Sequence, residues 1–309
     1  MLACSAGGNH CAYVFGMMEQ LFIENPNECN WQDLAGISAG ALICAGVAQT
    51  STNTEYINTV DSLYQTMCKK KLVKEWSFLG SFFNSIHSFL FKSSMYRDTL
   101  TSMVTDHIDY EKMKCSGKVL HVGMYNNSKG QYETVTGNTD LMEHLCASAS
   151  VPGVFPARLI SGDMYVDGAL RHIIPVIEIK EWCEQNAGLG KTLDIMMCYP
   201  LSYDQFKKTE YDRSRFKLVN VMTDTVINML WNNMVNDINI LNDYFQTDIR
   251  TNRVFNCKSG RVRVFAPSIG YYSSFTSQNV GQIHKMFNHG KDMVRNILNT
   301  RKVHNELLY

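Results

Sequence analysis

This chain has no excess of charge of either sign. Lys and Arg number 29, and so do Asp and Glu, over 309 residues. A nucleic-acid binder needs a basic surface to neutralise phosphates, so that class is excluded. The one run of like charge, Lys69-Lys70-Lys71, is too short for a polybasic membrane patch and reads as a solvated helix end. Ten cysteines are present but none forms a C-x-x-C pair, and several sit in apolar runs such as Leu42-Ile43-Cys44-Ala45. That pattern predicts buried free thiols rather than a disulfide frame or a zinc site. No acidic loop has the spacing of calcium ligands. Neither a metal nor a cofactor is therefore expected.

Targeting signals are also missing. The first residues lack the basic start and clean apolar core of a secretory leader, and no myristoylation or prenylation signal is present. The longest apolar run, Ala39 to Ala48, is about half the length a membrane-spanning helix needs. The expectation is a cytoplasmic protein, at most peripheral to membranes, with no transmembrane segment. Only 6 prolines occur, and no Gly/Ser-rich stretch divides the chain. We therefore expect one domain over residues 1–309, with its motifs in residues 1–175 and a helical part over 200–309.

What is present reads as α/β. Met1 to Ser5 is a short buried strand, Ala12 to Phe22 a helix, Asp33 to Ile37 a second strand and Ala39 to Val47 a helix of small residues. Strands alternating with helices predict a mainly parallel sheet covered on both faces, a three-layer α/β/α arrangement. Helices follow at Glu55–Met67 and Trp76–Phe91. Strands are expected at Val119–Tyr125 and Tyr132–Val135, around a turn at Asn126–Gly130. Leu141–Ala149 reads as a helix, and Met164–Val166, Ile195–Cys198 and Val262–Phe265 as strands. The last third is mostly helical, through Phe216–Phe245 and Ser277–Leu298.

Three motifs carry chemistry. Gly36-Ile37-Ser38-Ala39-Gly40 is a G-x-S-x-G between a strand and a helix, the context that exposes a serine on a tight turn. Gly36 and Gly40 keep side chains from clashing across that turn, and the following helix aims its N–H groups at developing negative charge. The plainer reading of Ser38, and the weaker of the two, is a helix cap. Ser5-Ala6-Gly7-Gly8-Asn9-His10 ends the first strand and opens a helix. Consecutive glycines leave backbone N–H groups unobstructed, as an oxyanion hole requires. A dinucleotide loop is excluded because no G-x-G-x-x-G is present. Tyr165-Val166-Asp167-Gly168-Ala169 ends a short strand. Its carboxylate is a candidate base, though an ordinary Asp near pKa 4 is a poor one unless a dry site raises it. Alone, Asp167-Gly168 is also a common turn.

In their order and spacing these motifs resemble the patatin-like phospholipase family. There a glycine-rich oxyanion loop precedes the G-x-S-x-G elbow, and a D-G-[AG] supplies the Asp of a Ser–Asp dyad. Gly36–Gly40 and Asp167-Gly168-Ala169 match fully. Ala147 to Pro156 and Gly290-Lys291-Asp292 are similar to further family segments. The resemblance implies a serine lipid acyl hydrolase acting on phospholipids or other glycerolipids, drawn from a membrane or droplet interface. It implies Ser38 as nucleophile, Asp167 as proton acceptor, and the N–H groups of Gly7, Gly8 and Asn9 as oxyanion donors. Gly168 lets the chain approach closely beside the Asp. The loop departs from the family pattern: Ala6 replaces the first Gly, His10 stands where Arg is usual, and Cys11 replaces the last Gly. A catalytically impaired lipid- or partner-binding protein is accordingly the alternative, and a carboxylesterase for small soluble esters a third reading.

Other features have plainer explanations. His10 and His172 are the histidines best placed for a triad, yet each reads as an ordinary core or surface residue. The aromatic run Trp76–Phe91 reads either as a helix packed on the sheet or as a lid contacting acyl chains. Gly190-Lys191-Thr192 ends like a phosphate loop, but the required first glycine falls on Gln185. The oligomeric state is open.

Overall fold

A computed structural model describes residues 1–69, 97–137, 141–152, 155–202, 206–207, 218–271 and 279–306. The expected aromatic helix at Trp76–Phe91 and most of the Lys69–Lys71 run lie outside them.

In chain order the elements begin with β1 (Leu2–Cys4), α1 (Cys11–Glu24), β2 (Asp33–Ile37), α2 (Ala39–Ala48) and α3 (Asn53–Lys69). Next come α4 (Arg97–His107), α5 (Tyr110–Ser116), β3 (Val119–Asn126), β4 (Gln131–Thr136) and α6 (Leu141–Ser148). Then follow β5 (Arg158–Ile160), β6 (Asp163–Asp167), α7 (Val176–Gln185) and β7 (Lys191–Met196). The chain continues through β8 (Phe206–Lys207), α8 (Leu218–Phe245), β9 (Val254–Cys257), β10 (Gly260–Phe265), β11 (Gly270–Tyr271) and α9 (Val280–Glu306).

Nine strands form one sheet in the order β5-β6-β3-β2-β1-β7-β10-β9, with β4 also on β3. The interior of the sheet, from β3 through β2, β1 and β7 to β10, is parallel, and β4, β5, β6 and β9 join antiparallel. β8 and β11 make a separate pair.

The parallel strands are apolar on both faces because both are covered. Alternate residues point to opposite sides. Leu2, Cys4, Leu34, Leu120, Val122, Met196 and Phe265 pack with α1, α2, α3, α4, α6 and α9. Ala3, Ala35, Ile37, Leu193, Ile195, Val262 and Val264 pack with α7 and α8. The result is the expected three-layer α/β/α fold. Its C-terminal third is helical, as expected, but it also supplies β9 and β10 to the sheet.

Several elements differ from the sequence reading. α4 carries apolar residues only at Leu100, Met103 and Val104 among polar ones, so its period is short and weak. α7 (Val-Ile-Glu-Ile-Lys-Glu-Trp) opens with β-branched residues that mimic a strand. β7 starts four residues earlier than expected and stops at Met196.

One polar cluster lies inside this apolar body. The Arg263 guanidinium of β10 donates Nε–H to Asp194 Oδ1 (2.5 Å) and Nη2–H to Oδ2 (2.7 Å) on β7. Trp31 Nε1–H also donates to Asp194, at 2.7 Å. Both charged side chains are at most 1% exposed. Removing one partner strands a buried charge, which costs about 3–5 kcal/mol. Arg263→Met is therefore expected to lower the urea-unfolding free energy by about that amount. Arg261→Met, which loses only a half-exposed pair with Glu28, is expected to cost less than about 1 kcal/mol.

Candidate active site

β3 acts as a ruler that brings two distant segments together. Its residues 121–126 pair with β4 along one edge. On the opposite edge, β2 pairs up to Ile37↔Gly123, and β6 takes over from Asp167↔Met124. The parallel strand β2 therefore stops at the register where the antiparallel strand β6 ends, and Ser38 and Asp167 meet at that joint.

Each flank of the joint demands a small residue. The chain reverses at Ser38, whose φ of 56° and ψ of −126° lie outside the regions an L-residue prefers. A Cβ on Gly36 would lie 2.5 Å from the Ala41 nitrogen, and one on Gly40 would lie 2.4 Å from the Cys4 carbonyl oxygen. Gly168 would clash with the Gly123 carbonyl at 2.7 Å. The glycines singled out in the sequence are thus close-approach positions between the elbow, β1 and β3.

At the joint, Ser38 Oγ–H donates to Asp167 Oδ2 at 2.6 Å. The other carboxylate oxygen accepts the Ala169 N–H at 2.8 Å. Ser38 is 6% exposed and Asp167 1%. Burial pushes the Asp167 carboxyl up to about 7, against the opposing pull of its hydrogen bonds from Ser38 and Ala169. This is the dry setting an Asp needs to serve as a base near neutrality.

The loop after β1 faces the same space. Gly8–His10 forms a 3-10 turn that leads into α1. Gly7 has no room for a Cβ, which would sit 2.2 Å from the Cys198 side chain, and Gly8 adopts a positive φ of 49°. Among the described residues the N–H groups of Gly7 and Gly8 enter no hydrogen bond. Ala6, Gly7, Gly8 and Asn9 line one cavity with Ser38 and Asp167. Two helix N-termini thus open on one spot, which favours an anion there. The cavity, about 200 Å³, runs on between apolar side chains including Phe15, Leu42, Met67, Met103, Val104 and Phe155.

The two triad candidates do not reach Ser38. His10 is buried with its ring 4.8 Å from that of Tyr199. His172 Nδ1 lies 2.6 Å from Asp237 Oδ1 of α8.

Three supporting residues escaped the sequence reading. Ser148 Oγ accepts the Ser38 N–H at 2.9 Å and donates to the Gly123 carbonyl at 2.7 Å, pinning the elbow to β3. Asp237 Oδ2 accepts the N–H groups of Ile173 (2.6 Å) and Ile174 (3.0 Å), while Asn233 Nδ2 donates to the carbonyls of Ala169 and Leu170. The Ile173 carbonyl in turn accepts the Ala6 N–H at 2.8 Å. One face of α8 thereby holds both the segment after Asp167 and the glycine loop. The signal was present: Asn233 and Asp237 stand four apart beside the apolar Leu230, Met234 and Ile238.

A family model for patatin-like phospholipases matches residues 2–179. By sequence, no curated protein matches. Among solved structures, VipD from Legionella pneumophila is similar at 14% identity and a TM-score of 0.48, over 97% of this chain and 66% of that one. The type III effector protein ExoU is similar at 12% identity and a TM-score of 0.36, over 97% of this chain and 53% of that one. The chain thus spans about two thirds of the first and half of the second.

Two measurements check this geometry. Ser148→Ala leaves a buried N–H and a buried carbonyl without their shared partner, so unfolding free energy should fall by about 1–3 kcal/mol. The second is a stability–pH curve. Because the Asp167 pKa is raised on folding, its contribution is fully present below pH 3.8 and is lost as pH rises through about 7. Asp167→Asn is expected to remove that decline and make the protein more stable than wild type above neutrality.

Proposed function

The chain belongs to the patatin-like phospholipase family, and from that premise we propose that it is a serine lipid acyl hydrolase working through a Ser38–Asp167 dyad. One observation carries the reading: a serine on a strained elbow, hydrogen-bonded at 2.6 Å to a buried carboxylate whose pKa is raised to about 7. Lipid ester hydrolysis is the activity the family supports in general. The residue roles and substrate are our proposal.

In the first step Ser38 Oγ attacks the ester carbonyl carbon as its proton passes to Asp167 Oδ2. The carbonyl electrons move onto oxygen, and the oxyanion is met by the N–H groups of Gly7, Gly8 and Asn9. Collapse expels the alcohol, which takes the proton from Asp167 and leaves an acyl group on Ser38. A water then gives its proton to Asp167 and attacks the acyl carbon. The second collapse returns that proton to Ser38 and releases the fatty acid. A carboxyl near pKa 7 is part deprotonated at neutral pH, and so can both take and return a proton.

The substrate class follows from the cavity. Its apolar walls suit a fatty-acyl chain, so phospholipids, lysophospholipids and neutral acylglycerols are the proposed substrates. Such molecules must be withdrawn from a membrane or droplet surface, and we place the protein in the cytoplasm at that interface. Among the described residues no helix is long and apolar enough to cross a membrane. We take residues 1–309 as one catalytic domain, because β7 and β10, beyond residue 179, complete the sheet that β1 begins.

The second reading, a lipid binder with impaired catalysis, draws on the altered loop. Cys11 lines the cavity where the family has glycine, and His10 packs on Tyr199 where the family has arginine.

The deciding experiment follows fatty-acid release from vesicles of phosphatidylcholine and triacylglycerol without calcium. Wild type is expected to release fatty acid, and Ser38→Ala and Asp167→Asn to reduce release by about 10³-fold or more. The wild-type kcat/KM should rise with pH to a plateau, with its midpoint at about 7. No release, together with no labelling of Ser38 by a fluorophosphonate, would overturn the hydrolase reading in favour of the binding one.

A further inference from the structure

The cavity beside Ser38 has a far end, and its chemistry changes there. α2 runs from the nucleophile to Gln49, roughly 16 Å at 1.5 Å per residue. The cavity passes Ala39, Leu42 and Ile43 at the start of α2 and runs between one face of α3 (Leu63, Thr66, Met67) and one face of α4 (Leu100, Met103, Val104, His107). Spacings of three and four residues keep each set on a single stripe. Most of both stripes is apolar. The exceptions are Thr66 and His107, which face each other with Oγ1 and Nε2 3.1 Å apart.

That pair is held in place from outside the cavity. The Gln49 side chain donates to the His107 carbonyl at 2.8 Å and accepts the Asp109 N–H at 2.7 Å. The C-terminal ends of α2 and α4 are thereby clamped together. Behind the pair lies a second, polar groove bordered by Gln49, Thr50, Glu55, Asn58, Asp106 and Lys112. Leu63 and His107 border both spaces.

We propose that the Thr66–His107 pair, with Leu63, is the end wall of an acyl-chain tunnel and sets the longest fatty-acyl chain the enzyme accepts. This rests on the acyl-hydrolase reading. A chain that fits ends against Leu63 and Val104. A longer one must break the Thr66–His107 bond and push its terminal methyl among the carboxylates and amides of the groove. A methylene that a pocket has no room for costs about tenfold or more in kcat/KM, so the length profile should end abruptly.

The test compares kcat/KM for p-nitrophenyl esters of straight-chain acids from butanoyl to octadecanoyl. Wild type should gain with length and then lose about tenfold or more within one or two further methylenes. In Thr66→Ala/His107→Ala the two spaces join, and the break should move to longer chains. Val104→Phe fills the tunnel and should move it to shorter ones. Free fatty acids of the same lengths, added to Ser38→Ala with and without the wall substitutions, give a thermal-shift readout that needs no turnover. Its breaks should fall in the same order. A profile without a break, or one unmoved by all three substitutions, overturns the end wall while wild-type turnover keeps the hydrolase reading. Absence of turnover with a length-limited thermal shift sinks the hydrolase reading and retains the wall. Absence of both overturns the two together.

Discussion

The hydrogen bond from Ser38 to Asp167 closes a gap in the sheet that neither strand could fill alone. β2 ends in an elbow, and β6 arrives from the other direction on the same edge of β3. Residues 129 positions apart therefore meet at 2.6 Å. The register of one strand against its neighbours sets that distance. A slip of one residue in either pairing would turn the side chains to the opposite face of the sheet. The dyad is as rigid as the sheet that carries it.

Rigidity of this kind has a cost in stability, and the surroundings offset it locally. A carboxylate 1% exposed is destabilised in its charged form, which is why its pKa climbs to about 7. The elbow adds backbone strain at Ser38. Against these stand hydrogen bonds that each serve two segments. Ser148 ties the elbow to β3. Asp167 accepts from Ser38 and from Ala169, and its own N–H donates to the Ser150 carbonyl at 3.0 Å. Asp237 and Asn233 fasten the segment after the dyad to α8, and Ile173 passes that restraint to the glycine loop. His172, five residues beyond the candidate base, is bonded to Asp237 in this same network rather than to Ser38.

The chemistry of the site was more legible in the sequence than its support. Gly36, Gly40 and Gly168 stand where backbones touch, and that requirement leaves only one residue type, so a short motif carries it. The strands β2, β3 and β6 were legible because each holds a short apolar stretch between turns, Leu34 to Ile37, Val119 to Leu120 and Met164 to Val166. Ser148 was not, because a serine that bridges a buried N–H and a carbonyl looks like any other serine in Ala147-Ser148-Ala149-Ser150. Asp237 needed the contact between α8 and a loop 65 positions earlier, which no local pattern encodes. α4 was missed for a different reason. Its apolar stripe is only Leu100, Met103 and Val104, so its period is short and weak.

The two halves of the proposed function are separated physically. The dyad and its glycine loop come from strand ends, where the sheet leaves little freedom. The far part of the cavity is walled by helices α3 and α4, and Gln49 ties α4 to the end of α2. Thr66, Val104 and His107 lie on these helices, outside the strand pairings that align Ser38 with Asp167. In the proposed function, substrate length and catalytic geometry are therefore set by different layers of the fold. The helical layer can vary while the sheet stays fixed.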